Sequence, residues 1–204
     1  MEKKIVLIGA GSAVFGPPTL NDIYQSKTLV GSTISLVDTN EEKLNRVYDI
    51  VVKENQLRGE KYNIERNLDR KVALKDADFV VCSIENGDRF FHRWQDHRIP
   101  HNHGSTEMMA ENGGPGGFFH SARQIPTIVE IAKDAYKANP DVLFMNYSNP
   151  MSRICLAIHR AVPDLKFVGL CHQINLLLVH LGYILDETIE DLPSKERVEK
   201  NKEY

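Results

Sequence analysis

Apolar residues recur along this chain in two rhythms. Short runs of four to six, rich in β-branched side chains, alternate with longer stretches whose apolar positions return every three or four residues. The runs at 4–8, 33–37, 79–84, 142–146 and 167–170 predict buried strands. The stretches at 15–26, 41–58, 120–138, 150–161 and 173–185 predict helices. Leu44, Val47, Tyr48, Val51 and Val52 mark one face of the second. Positions 61–78 predict a short strand and a turn. Positions 85–118 have no clear period and hold five glycines between 104 and 117, the pattern of a functional or partly helical segment. Strand and helix alternate throughout. The expected fold class is therefore α/β: a Rossmann-type, doubly wound, mainly parallel sheet with helices on both faces, filling 1–171. From 186 onward, seven acids and four bases surround three aliphatic residues, which predicts a solvated helix or a disordered end.

Composition narrows the picture. The 204 residues suffice for one core, or one domain and part of a second. With 42% hydrophobic and 26% charged residues the chain is globular rather than disordered. A net charge of −3 provides no basic field for nucleic acid and no polybasic membrane patch. No apolar run approaches the roughly 20 residues that span a bilayer. The first apolar run ends in a glycine turn rather than a cleavage site. Three scattered cysteines, Cys82, Cys155 and Cys171, do not make a disulfide framework. The expected compartment is a reducing cytoplasm.

The candidate chemistry lies where strands end. Gly9-Ala10-Gly11-Ser12 follows the first strand and precedes a helix. Gly9 permits a tight turn, Gly11 permits backbone approach to a pyrophosphate, and the helix N-terminus offers free N–H groups to that anion. Asp38 closes the second strand and is placed to bind ribose hydroxyls, which favours NAD over its 2′-phosphorylated form. A tight turn without a ligand is the alternative. Asn146-Tyr147-Ser148-Asn149-Pro150 closes a later strand, where Asn149 could cap a helix or Asn146 could face substrate. Cys171-His172 ends the next strand and fits either a structural Cys beside a hydrogen-bonded His or a thiolate–imidazole pair. His92, His97, His101 and His103 cluster, but Pro100 is expected to break a helix between His97 and His101 and leave a solvated or substrate-facing segment. Residues Glu111 to Gly117 are expected to form a lid, a backbone nest or a plain flexible loop.

Taken in order, these motifs resemble glycoside hydrolase family 4: Gly9-Ala10-Gly11-Ser12, Asp38, the Gly113–Gly117 segment with Arg123-Gln124-Ile125-Pro126, Asn146 to Pro150, and Cys171-His172. The resemblance covers about 3–185 and implies a fold akin to lactate and malate dehydrogenases. It also implies NAD and a divalent metal, usually manganese, as cofactors. In that family NAD oxidises the sugar 3-hydroxyl, a base removes the acidified C2 proton, the aglycone leaves, water adds, and the ketone is reduced back. The resemblance implies Gly9, Gly11, Ser12, Phe15, Asp38 and Asn146 as cofactor-binding residues. It implies Cys171 as a metal ligand, and His172, Asn149 and Arg123 as the residues that contact or support the sugar. The Cys-His pair resembles the branch acting on non-phosphorylated α-glycosides, so an α-glucoside or α-galacturonide is the expected substrate. The family also has a second metal-ligating His, in a Gly-x-Asn-His segment beyond the Cys, and a proton-abstracting Tyr further on. No His follows His180 here. The expectation is a fragment, with 172–204 the incomplete start of a second, substrate- and metal-binding domain, and a homo-oligomer, dimer or tetramer, when full length. The competing expectations are a 2-hydroxy-acid dehydrogenase and a non-catalytic NAD-binding protein.

Overall fold

A computed structural model describes residues 2–11, 16–106, 113–171, 173 and 177, with backbone alone at 16–18. The chain divides into two compact units, Met1–Gly169 and Leu170–Tyr204. The first holds every element described below.

Among the described residues strands and helices alternate except that two helices follow β4: β1 (Lys4–Ile8), α1 (Gly16–Gln25), β2 (Thr33–Val37), α2 (Glu41–Leu57), β3 (Asn63–Asn67), α3 (Arg70–Leu74), β4 (Phe79–Cys82), α4 (Arg89–Asn102), α5 (Gly114–Ala138), β5 (Leu143–Asn146), α6 (Met151–Ala161) and β6 (Lys166–Gly169). The strands form one sheet in the order β3-β2-β1-β4-β5-β6, all parallel. This is the doubly wound Rossmann arrangement, and its order reverses between β1 and β4. Alternate residues of each inner strand feed opposite faces. Val6, Ile8, Val80 and Cys82 join a core with Ile128, Ile131, Ile154 and Ile158 from α5 and α6. Ile5, Leu7, Leu36 and Val81 join a second core with Leu20, Ile23, Leu44 and Val51 from α1 and α2. Both faces are covered, so the strands can be apolar throughout.

Helix starts follow their capping residues. Asn40 accepts from Lys43 N–H at 2.9 Å and opens α2, and Asp88 accepts from Phe91 N–H at 3.0 Å and opens α4.

The aperiodic region 85–118 holds α4 and the first turn of α5, and two expectations for it need correction. Pro100 does not break a helix: α4 runs to Asn102 with His97 and His101 stacked, ring centres 5.9 Å apart. Pro100 lies in the last turn, where the only bond it forfeits is the one to the carbonyl of Asp96. That carbonyl instead packs on Gly116, where a Cβ would lie 2.5 Å from the oxygen. Nor are residues 114–117 a loop. They are the first turn of α5, with Gly113 at the cap and Pro115 in the position that tolerates it. Glu111 and Asn112 lie outside the described residues. None of the residues of α4 is buried, and Phe90, Phe91, Trp94 and Ile99 are exposed along it, as are Phe118 and Phe119 at the start of α5.

Candidate functional site

The strand register builds the site's floor. Val37, Ile8, Cys82, Asn146 and Gly169 pair successively across the sheet at its carboxyl end. The residue after each strand therefore emerges along one rim, the edge at which open α/β sheets bind ligands.

At the reversal between β1 and β4 the rim is tightly tied. Gly9 turns the chain at φ +87°, and its N–H and that of Ala10 both donate to Val37 O, at 2.9 and 3.0 Å. Gly11 N–H donates to Asp38 Oδ2 at 2.9 Å, and Asn40 N–H donates to Asp38 Oδ1 at 2.8 Å. The half-buried Asp38 carboxylate is thus held from below by two backbone donors. A carboxylate has about four lone-pair sites, so about two remain for a ligand. A glycine turn at the switch point beside an oriented acid fits the ribose and pyrophosphate of a dinucleotide.

The rim beyond β4 is tied to β5 and α5. Ser83 N–H still bonds Ile8 O at 2.9 Å, but Ile84 N–H turns away to Ser148 Oγ at 2.8 Å, which is why β4 stops at Cys82 rather than at 84. Ser148 is itself set by Asn146: Asn146 Nδ2 donates to Ser148 O at 3.0 Å, and Ser148 N–H donates to Asn146 Oδ1 at 3.3 Å. Asn149 Oδ1 accepts from Met151 N–H at 3.3 Å across the cis Asn149–Pro150 bond. Asn86 Nδ2 donates to Arg123 O and Thr127 Oγ1, each at 2.8 Å, and Asn86 N–H donates to Gln124 Oε1 at 2.9 Å. Gln124 Nε2 donates to Glu85 Oε1 at 2.5 Å, and His120 Nε2 lies 3.1 Å from that same oxygen. Arg123 forms a two-pronged ion pair with Asp96 of α4, Nη1 to Oδ1 at 3.1 Å and Nη2 to Oδ2.

The family 4 glycosyl hydrolase sequence pattern matches residues 4–185. The chain belongs to the family 4 glycosyl hydrolases. It is 45% identical over 196 residues to the α-glucosidase of Erwinia rhapontici, covering 94% of this chain and 42% of that enzyme. It is 31% identical over 173 residues to the α-galacturonidase of Lachnoclostridium phytofermentans, covering 84% and 37%. Among solved structures, the 6-phospho-β-glucosidase of Thermotoga maritima with manganese, NAD⁺ and glucose-6-phosphate superposes with a TM-score of 0.73 at 25% identity, covering 92% of this chain and 45% of that one. The family 4 chain spans about two-fifths of the length of the curated relatives it matches.

Of the residues singled out from the family 4 sequence, Gly9, Gly11 and Asp38 converge at the β1 end of the rim. Asn146 and Asn149 sit at the β5 end. Asn146 is fully buried and its amide is engaged by Ser148. Arg123 stands on α5, its guanidinium turned to Asp96. Cys171 is half-buried, two residues beyond β6. Ser12, Phe15 and His172 lie outside the described residues. Burial pushes the Cys82 thiol up to about 12, against a smaller opposing effect of the Ser148 hydroxyl, and burial raises Cys155 as well. Neither therefore offers a ready thiolate. Among the described residues, no three His, Cys, Asp or Glu side chains gather to hold a metal, and no helix is long and apolar enough to cross a membrane.

Sequence reasoning missed Glu85, Asn86 and His120, and it quoted Gln124 and Ser148 only as members of longer motifs without giving them a role. Glu85 and Asn86 carried a usable signal, since they follow a strand's carboxyl end directly. His120 carried none, and Gln124 carried only its place in the Arg123–Pro126 motif, because both belong to the rim through the packing of α5.

Proposed function

We propose that this chain forms the NAD-binding part of a glycosidase that hydrolyses non-phosphorylated α-glycosides, an α-glucoside before an α-galacturonide. One observation carries the reading: family 4 membership over residues 4–185, together with an intact dinucleotide cradle at Gly9, Gly11 and Asp38. The 45% identity to an α-glucosidase, against 31% to an α-galacturonidase, supports the order of substrates.

When bound, NAD supplies reversible oxidation of the sugar at C3, and a divalent metal supplies polarisation of the adjoining oxygens. This chain's residues bind and orient. The turn at Gly9 to Gly11, with Ser12 and the N-terminus of α1, would bind the pyrophosphate. Asp38, fixed by Gly11 and Asn40, accepts from the ribose hydroxyls and repels a 2′-phosphate. Phe15 would be a further cofactor-binding residue. Asn146 serves it from beneath by holding the 146–148 turn through Ser148. Asn149 and His172 hold sugar hydroxyls. Arg123 supports them by locking α4 onto α5 through Asp96. Cys171 provides one thiolate to the metal, and residues 172–204 begin the domain that completes the substrate site. The enzyme functions in a reducing cytoplasm, where that thiolate persists, and assembles as a homo-oligomer.

The test is hydrolysis of an α-glucoside by the complete enzyme in D₂O, with NMR of the released sugar. Deuterium at C2 is expected, because the mechanism breaks that C–H bond. A sugar that keeps its C2 proton throughout overturns the redox mechanism.

A further inference from the structure

The Glu85 cluster is absorbed by none of the roles above. Its geometry fixes its own chemistry. Asn86 N–H can only donate, so the atom of Gln124 facing it at 2.9 Å must be Oε1. Gln124 is fully buried and cannot turn over without orphaning that N–H, so its Nε2 is committed to Glu85 Oε1 at 2.5 Å. Glu85 Oε1 is an acceptor there, and His120 Nε2 approaches the same oxygen at 3.1 Å from a side chain only 14% exposed. Both groups converge on Oε1. Among the described residues nothing pairs with Oε2, and the Glu85 side chain is 29% exposed.

The cluster also has a definite place on the rim. The hydrogen bond from Ile84 N–H to Ser148 Oγ staples the loop after β4 to the loop after β5. Glu85 and Asn149 are the next residue on each side of that staple. The carboxylate therefore stands beside the position proposed for the sugar, at the strand next to the sheet's reversal. Its aim is preorganised by a buried amide and an imidazole, so a ligand meets it without a search over rotamers.

From this arrangement we infer that Glu85 is a specificity-determining residue that selects uncharged sugars. This rests on the glycosidase reading above. Glu85 Oε2 accepts a hydrogen bond from a neutral sugar hydroxyl. The same charge, partly desolvated at the rim, repels a glycoside bearing a phosphate or a carboxylate, because like charges close together in a low-dielectric crevice are strongly unfavourable. Gln124 and His120 are positioning residues that act through Glu85.

The experiment compares kcat/KM of the complete enzyme for three glycosides with one common aglycone: an α-glucoside, its 6-phosphate and an α-galacturonide. The wild type is expected to favour the neutral glucoside over both anions. Glu85→Gln keeps the shape and removes the charge. It is expected to shrink that preference about tenfold or more by raising turnover of the anionic glycosides, and Glu85→Lys to shrink it further. NAD affinity, measured by fluorescence titration, is expected to stay within about twofold of wild type in both variants, as for groups outside the cofactor cradle. Glu85 loses this role if the preference does not move, if all three glycosides lose activity equally, or if the wild type prefers an anionic glycoside. In the first two cases hydrolysis with C2 exchange still stands and the reading above survives; a wild type that prefers an anionic glycoside leaves the glycosidase and its C2 exchange standing but overturns the order of substrates as well. A complete enzyme that turns over none of the three overturns both.

Discussion

Gly11 donates its backbone N–H to Oδ2 of Asp38 across 2.9 Å, and a Cβ on Gly11 would lie 2.7 Å from that same oxygen. The glycine is therefore required by the acid as well as by any pyrophosphate. Gly11→Ala is expected to push Asp38 aside, and Asp38→Ala is expected to weaken NAD binding by about 1–3 kcal/mol, the range for losing a charged hydrogen-bond partner. Fluorescence titration with NAD and NADP checks both. Equal affinity of the unaltered chain for the two dinucleotides contradicts the role given to Asp38.

Arg123 and Asp96 form an ion pair between α5 and α4, and Arg123 Nε is buried without an acceptor among the described residues. Asp96→Ala leaves the whole guanidinium unpaired. The cost is expected to be about 1–2 kcal/mol, below that of a fully buried pair because the Arg123 side chain is 26% exposed. Hydrogen exchange should show faster opening of α4 while the strands keep their protection. Uniform loss of protection across the sheet contradicts a local role.

Asp78 joins the start of β1 to the turn before β4. Burial raises its carboxyl, but hydrogen bonds from Lys3 Nζ at 2.6 Å and Lys4 N–H at 2.8 Å, with the Lys3 charge, outweigh that and hold it below its ordinary value. A depressed folded value means that stability is present above the unfolded value, about 3.9, and is lost as pH falls through the folded one. Asp78→Asn is thus expected to be less stable than wild type at neutral pH, and the gap should close below about pH 4. Chemical denaturation at a series of pH values measures it. A gap independent of pH contradicts the linkage.

The aromatic face of α4 and the start of α5 is unusual for a monomer surface. Phe90 is 86% exposed, with Trp94 and Phe119 each at 53%. Several exposed aromatic side chains on neighbouring elements of a lone chain promote association. The 204-residue chain by itself is expected to self-associate in sedimentation, and Phe90→Ser with Trp94→Ser to reduce it. A monodisperse monomer over a wide concentration range contradicts this.

The helix expected at 173–185 and the tail from 186 lie outside the described residues but for 173 and 177. The sequence by itself determined the strands, the helices of regular period up to residue 161, the βα turn at Gly9 and its acid partner Asp38. Each of these depends on signals local in the chain: β-branched runs, a 3.6-residue period, a glycine pair after a strand. Within residues 85–118, which it read as functional or partly helical, it misjudged two places: Pro100 looks disruptive until its position in a last turn is known, and the glycine-rich 114–117 looks like a loop until it is seen to open a helix. Tertiary structure alone decided what gathers on the rim. The strand register sets Ile8, Val37, Cys82 and Asn146 in one row. The packing of α5 then brings His120 and Gln124 to Glu85, 35 and 39 residues away in the chain. No local pattern encodes such a meeting, because it depends on how two cores fill the opposite faces of one sheet.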